Sequence, residues 1–133
     1  MAEYDFNSLT KSVVGLIPVS STSNTTLTGP VVDTLGYESV TCILAIGVIG
    51  SGSVSFSLTE CATSGGSYTA VAAADVIGST TADSAALTLT TTTATLGYRG
   101  KKQFIKMVMA GTYTTTLSSG VVLLAMPKRV PAV

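Results

Sequence analysis

Few side chains in this 133-residue sequence could carry out chemistry. The chain has no histidine, which removes the usual general base and the most common metal ligand. Its two cysteines, Cys42 and Cys61, do not form a zinc-binding pattern without histidine. Asp75 and Asp83 flank a loop, but a calcium site needs several oxygen ligands at close spacing. We therefore assign no catalytic residue, no metal ligand and no cofactor, and expect a protein that is not an enzyme.

Two glycine-rich stretches, residues 50–53 and 64–66, could be taken for phosphate-binding loops. Neither is followed by a helical pattern or by the Gly-Lys-Ser/Thr sequence that such loops require. We therefore interpret both stretches as turns.

A basic stretch near residue 100 holds four of the seven positive charges within eight residues. These candidate protein-docking residues are Arg99, Lys101, Lys102 and Lys106. The first three flank Gly100 in a predicted turn, and Lys106 points outward from the strand that follows. The stretch could be a solvated turn, a contact to an acidic protein surface, or a nucleic-acid site. A pI near 6.1 and few interleaved aromatic residues disfavour nucleic acid.

Charge is distributed unevenly along the chain, although the formal net charge is zero. All seven acids precede residue 84, and six of the seven bases follow it. Two interpretations remain open. The fold either mixes the two halves, so that their charges cancel, or presents a bipolar surface that docks against copies of itself or an acidic partner.

The composition predicts a β protein. Charged residues make up only 11% of the chain, while 22 threonines and 16 serines make up more than a quarter of it. Threonine and valine suit pleated, half-buried strands. Apolar and turn residues alternate at the spacing of about eight strands, and no segment has a convincing helical period. We predict an antiparallel β-sandwich or jelly-roll-like domain.

Three strands carry the clearest signals. Residues 38–47 (ESVTCILAIG) form an apolar run without polar alternation, which predicts a strand buried on both faces with Cys42 in the core. Residues 53–61 alternate, so that Val54, Phe56 and Leu58 should point inward. We predict that these two strands form a hairpin, and that residues 121–127 (VVLLAMP) form a final buried strand.

The predicted organisation is an N-terminal arm (1–11), one β-sandwich domain (12–126) and a C-terminal tail (127–133). The first residues are polar and acidic, so we expect no signal peptide. The longest apolar run, of about ten residues, is too short to span a bilayer, and no membrane partner is expected. An intracellular protein of this kind would keep both cysteines as free thiols.

Several motifs in order resemble small virion proteins of tailed bacteriophages encoded among the head and neck genes. They are LGYESVTCILAIGVIGSGSVSFSLTEC, then SGGSYTAVAAADVIG, then LGYRGKKQFIKMVM, and together they cover roughly residues 35 to 109. The family pattern often has an acidic run after its F-x-L strand. Here Glu60 is followed by Cys61 and Ala62, which puts a shared acidic contact in doubt.

The resemblance implies a structural role on the virion, without catalytic residues. Its best-fitting form is a decoration or cement protein on the outer surface of the head shell, assembled in the host cytoplasm. The implied partners are the major capsid protein and neighbouring copies of the same chain. The alternatives are a head-completion, neck or tail protein, or a ligand- or carbohydrate-binding β-sandwich.

Overall fold

Eleven strands and two short 3₁₀ turns make up the fold in a computed structural model, which describes residues 6–22, 24–78, 86–89 and 92–128. The strands are β1 (Thr10–Thr22), β2 (Leu27–Thr28), β3 (Val32–Asp33), β4 (Tyr37–Ile46), β5 (Gly52–Cys61), β6 (Thr69–Ala70), β7 (Val76–Ile77), β8 (Ala86–Leu89), β9 (Thr92–Tyr98), β10 (Phe104–Tyr113) and β11 (Thr115–Pro127). The 3₁₀ turns are Asn7–Leu9 and Ala73–Asp75. Among the described residues, no helix is long and apolar enough to cross a membrane.

The strands form two antiparallel sheets. The five-stranded sheet has the order β1-β11-β4-β9-β7. The six-stranded sheet has the order β2-β10-β5-β6, with β3 also paired to β10 and β8 also paired to β5. Side chains from both sheets share one apolar core. The predicted all-β class and antiparallel sandwich are confirmed, with seven strands of four or more residues and four two-residue strands.

The six-stranded sheet alternates as the sequence predicts. Val54, Phe56 and Leu58 of β5 are fully buried, at 0% exposure. Ile105, Met107 and Met109 of β10 face the same core, while Lys106 lies on the outer side. Because each strand has one buried face, its apolar residues recur at every second position.

The predicted hairpin between residues 38–47 and 53–61 is wrong. β4 pairs with β11 and β9 in one sheet, whereas β5 pairs with β10 in the other. Residues 47–51 carry the chain between the layers and bond to β11, through Gly47 N–H to the Leu117 carbonyl and Gly50 N–H to the Thr115 carbonyl. Five residues are enough to span sheets about 10 Å apart. Strand alternation cannot distinguish such a crossing from a hairpin turn.

The prediction that residues 38–47 form a strand buried on both faces is also wrong for the isolated chain. β4 and β11 each bury one face, and the other faces solvent or is only half-buried. On that outer side lie Ile43 and Leu123, which are half-buried, and Val121, which is 39% exposed. β11 and β4 are central strands of their sheet, and the described residues form no further layer over their outer side.

Parts of the predicted arm and tail belong to the sheet. Thr10 and Lys11 begin β1 and pair with Ala125 and Leu124 of β11. Pro127 pairs with Tyr37, and the Lys128 N–H donates to the Gly36 carbonyl. Residues 1–5 and 129–133, the rest of the predicted arm and tail, lie outside the described residues.

Candidate functional site

The charged residues of the described chain are gathered at one end of the sandwich. The strand register places them there, because Lys11 lies opposite Leu124, Leu124 opposite Val40, and Val40 opposite Tyr98. The described bases are Lys11, Arg99, Lys101, Lys102, Lys106 and Lys128, and the described acids are Asp33, Glu38, Glu60 and Asp75. We call this the charged end. Acids and bases are mixed within it, so the described charges of the two sequence halves do not form opposite poles.

The other end of the described sandwich has no charged side chain. It contains the crossing at residues 47–51, the ends of β1 and β10, and the start of β11. Hydroxyl side chains dominate it, with two large aliphatic side chains also exposed: Val48 at 86% and Leu117 at 59%.

Tyr98 holds the loop of the basic stretch in place through its hydroxyl group. It ends β9 with its ring buried, and its hydroxyl donates a hydrogen bond of 2.6 Å to Glu60 Oε2 on β5. The same hydroxyl accepts the backbone N–H of Lys102 at 3.1 Å. Burial, followed by the bond to Glu60, raises the pKa of Tyr98 well above its usual range. The hydroxyl therefore stays protonated and fixes the loop that carries the lysines.

Arg99 is tied to the domain itself. Its Nε donates to the Ala74 carbonyl at 2.9 Å, and its backbone N–H donates to the Asp75 carbonyl at 3.0 Å. Both acceptors belong to the second 3₁₀ turn, so Arg99 joins that turn to the end of β9. Arg99 is thus a positioning residue for the turn as well as an exposed charge.

Lys106 lies apart from the turn, on the outer side of β10. Its Nζ is 4.2 Å from the centre of the Tyr68 ring, a cation–π contact. The Tyr68 hydroxyl donates to the Ser64 carbonyl at 3.0 Å, which holds the ring in place. Lys106 therefore has an internal partner, which the sequence did not reveal.

Lys101 and Lys102 are the two members of the basic stretch whose ammonium groups are exposed without such a partner. Within the described part of the chain, neither ammonium group forms an ion pair or a cation–π contact. The structure brings all four predicted residues to one end, where Arg99 and Lys106 also have partners within the domain.

Cys61 is a free, half-buried thiol near the basic stretch. It ends β5 opposite Phe104, and its Sγ lies 3.8 Å from Thr63 Oγ1. Hydrogen bonding from the Thr63 backbone, with a smaller contribution from Lys102, lowers the pKa of this thiol. Cys42 is buried in β4, and burial raises its pKa to about 12. Both are free thiols.

The described residues do not form a recognisable chemical centre. Among them, no group of three Cys, Asp or Glu residues is close enough to hold a metal ion. Asp75 lies in the second 3₁₀ turn, and its predicted neighbour Asp83 is outside the described residues.

Comparisons with known proteins give similarities of fold. No family model matches the chain, and no curated protein sequence matches it. The PBSX exported protein XepA has a TM-score of 0.61 and 9% identity over 92% of this chain, which spans 39% of the length of XepA. At this identity, the similarity shows a shared fold alone.

Two further structures have lower scores. A chain from the disulfide-linked pili of Bacillus endospore appendages has a TM-score of 0.46 and 13% identity, covering 96% of this chain and 98% of that one. A chain of the infectious bursal disease virus Gx strain has a TM-score of 0.49 and 14% identity, covering 92% of this chain and 35% of that one. Neither carries an argument about function.

Proposed function

We propose that this chain is a structural protein of a tailed-bacteriophage virion, and specifically a decoration or cement protein on the outer surface of the head shell. The observation that carries the proposal is the division of its surface. One end holds the described charges, and the rest of the described surface is apolar or hydroxyl-bearing. Such a surface suits a small rigid block that packs against other proteins. The ordered motifs of residues 35–109 resemble those of phage head and neck proteins and support the same proposal.

The charged end is the part of the surface that would face the major capsid protein. Lys101 and Lys102 are exposed on a loop held by Tyr98, so their charges project from a fixed base. A fixed positive loop can orient the domain on an acidic surface. Because the lysines are solvated, salt should weaken the contact steeply.

Many weak copies can produce firm attachment to a shell. Each domain offers a small contact, and neighbouring copies raise the effective concentration of one another on the particle. A strong individual site is therefore not required, which agrees with a surface of exposed lysines and hydroxyls.

Electron cryo-microscopy of the particle tests the location of the protein. We expect density for a 13.4 kDa β-sandwich in hundreds of copies over the head shell. Five, six or twelve copies at the neck would contradict decoration and favour a head-completion or neck role. Absence from purified particles would contradict both.

Charge reversal tests the docking loop. In co-sedimentation with undecorated heads, the double variant Lys101→Glu/Lys102→Glu should bind at least tenfold more weakly than the wild type. The matched control is Lys11→Glu/Lys128→Glu, which changes the net charge equally with two other exposed lysines of the same end. If the loop variant binds as well as the wild type at every salt concentration, the basic stretch is only a solvated turn.

Deletion tests the terminal arm. Removing residues 1–5 should weaken shell binding and leave the domain folded, because β1 begins at Thr10. A deletion through residue 11 would also remove the pairs of Thr10 and Lys11 with β11. A loss of shell binding could then not be separated from a loss of domain stability. Unchanged binding by the shorter deletion would refute a role for the arm.

A further inference from the structure

The outer faces of the two sheets differ in chemistry. On the six-stranded sheet, the outward side chains of β5 are hydroxyls: Ser53, Ser55, Ser57 and Thr59. This is the pattern of a strand with one face in water. On the five-stranded sheet, the corresponding positions of β4 and β11 combine hydroxyl side chains with six aliphatic ones: Ile43, Ala45, Leu117, Val121, Leu123 and Ala125. In the six-stranded sheet, the neighbouring strand β10 turns Lys106, Val108 and Ala110 outward, so that outer face bears a charge within its central strands.

The aliphatic side chains of the five-stranded sheet form one contiguous patch. Val14 of β1 lies opposite Val121 of β11, and Val121 lies opposite Ile43 of β4. Leu123 extends the patch one row further along β11. Val14 is 50% exposed and Val121 is 39% exposed, so the row is accessible in the isolated chain. We call these four residues the apolar row.

Charge on this outer face is confined, within the described residues, to the margin next to the charged end, where Glu38 and Arg99 lie. Away from the strand ends, the other outward positions of β4, β9 and β11 are serine, threonine, alanine, leucine and Gly97. A depression of about 480 Å³ lies beside the row, and its lining includes Thr95, Gly97 and Ile77 together with the charged Glu38 and Arg99. The face therefore has an aliphatic ridge and a neighbouring hollow, and the nearest charges lie toward the charged end.

The sequences of β4 and β11 are those of strands covered on both sides. The runs TCILAI and VVLLA lack polar alternation, as is typical of strands buried on both faces. The domain covers only one of these faces. The apolar sequences of β4 and β11 are explained if a second molecule covers the outer face of these strands.

We propose that a second copy of this chain packs on the outer face of the five-stranded sheet, with the apolar row at the centre of the contact. Two copies related by a twofold axis would place the same patch against itself. In such a contact, a charged patch would bring like charges together, whereas the apolar row bears no charge. The absence of charge therefore favours a copy of the chain over an acidic or basic partner.

The available area agrees with a weak, reversible pair. The four long strands of this sheet give a face of about 20 by 25 Å, from strand spacings near 4.8 Å and a rise near 3.3 Å per residue. Two such faces would bury on the order of 1,000 Å², at the lower limit for specific protein interfaces. We therefore expect association at high protein concentration, or where a shell brings neighbours together.

This inference deepens the proposed function, because it names the surface that meets a neighbouring copy. It does not depend on the shell, since the contact is measured with the chain alone in solution. The charged end remains available in such a pair, because the apolar row lies on the flank of the sandwich.

Sedimentation equilibrium over a concentration series tests the proposal. The wild type should move from 13.4 kDa toward twice that mass as concentration rises. Val121→Lys, which places a charge in the row at a part-exposed position, should raise the dissociation constant at least tenfold. The matched control Ser57→Lys places the same charge on the outer face of the other sheet and should associate like the wild type. Circular dichroism establishes that each variant is folded.

Val14→Lys is the second variant, since Val14 is the most exposed member of the row and lies on the edge strand. A wild type that stays monomeric at the highest concentration would overturn the proposal, as would row variants that associate normally. If the wild type is monomeric and Val121→Lys loses head binding, the face meets the shell instead. If the wild type associates through the row but does not bind heads, the pair stands and the decoration role fails.

Discussion

Tyr98 and Glu60 join the two sheets at the charged end. The Tyr98 hydroxyl, on β9 of the five-stranded sheet, donates to the carboxylate of Glu60, on β5 of the six-stranded sheet, at 2.6 Å. The opposite end has a similar arrangement, in which the Tyr113 hydroxyl donates to the Thr25 carbonyl at 2.6 Å. Each end of the sandwich is thus closed by a buried tyrosine ring whose hydroxyl reaches a partner near the surface.

Replacing Tyr98 with phenylalanine should lower the free energy of unfolding by about 2 kcal/mol, because it removes a hydrogen bond to a carboxylate and the acceptor of the Lys102 N–H. The ring stays buried, and the half-buried Glu60 can be rehydrated, so the loss should not be larger. Urea unfolding measures the change. The control Tyr68→Phe removes a hydroxyl whose bond to Ser64 is exposed, and should cost less than about 0.5 kcal/mol. Equal losses in the two variants would contradict the sheet-joining role.

Replacing Gly29 with alanine should be much more costly. Gly29 is buried where β1 passes over the residue after β2, and a Cβ there would overlap the carbonyl oxygen of Gly15. That neighbour is backbone, so no rotamer change can relieve the overlap, and we expect a loss of about 3 kcal/mol or failure to fold. Gly65→Ala is the control, because a Cβ at Gly65 meets no atom within 4 Å. A Gly29→Ala protein as stable as Gly65→Ala would show that β1 can move away freely.

The fold class could be predicted because strand alternation depends on local sequence. Val54, Phe56 and Leu58 repeat at every second position since β5 has one buried face, and the structure buries all three. Strand partners could not be predicted in this way. The alternation of β4 and β5 is the same whether the chain turns back within one sheet or crosses to the other. The decisive contacts are the backbone bonds of residues 47–51 to β11, which is more than sixty residues away.

The grouping of charges at one end could be predicted from the spacing of charged residues along the sequence, although not from strand alternation. Residues 12–32, 39–59 and 107–127 are three runs of 21 residues without a charge. Each run is long enough for one strand that leads from the charged end to the uncharged end and a second strand that leads back. Charged residues therefore recur only where the chain reaches the charged end again. The internal roles of Arg99 and Lys106 have no comparable signal, since Ala74 and Tyr68 lie far from them in sequence.

The two thiols should differ strongly in reactivity. The lowered pKa of Cys61 increases its thiolate fraction relative to an ordinary cysteine, whereas Cys42 is buried and protonated. Iodoacetamide should modify one thiol per native chain, at a rate that rises with pH around a midpoint below that of a free cysteine. The second thiol should react only in denaturant, and Cys61→Ser should abolish the native reaction. Rapid modification of both thiols in the native protein would contradict the burial of Cys42.

Burial of Cys42 should also make the fold sensitive to alkali. In the unfolded chain this thiol ionises near its ordinary pKa of 9.0, whereas in the native protein the pKa is raised to about 12. Between these values the unfolded state binds fewer protons than the native state. The stabilisation is therefore complete below pH 9 and is lost as pH rises, by about 1.4 kcal/mol per pH unit.

The measurement is urea unfolding at pH 7.5, 9 and 10, with Cys61→Ser as the common background to prevent disulfide formation. In that background, Cys42→Ala should have a lower free energy of unfolding at pH 7.5 because it leaves a small cavity. The gap should narrow as pH rises, since alanine has no proton to lose. Comparing the two proteins removes the contribution of Tyr98, whose raised pKa has the same sign and is present in both. Parallel curves across this range would mean that Cys42 does not keep its proton in the native core.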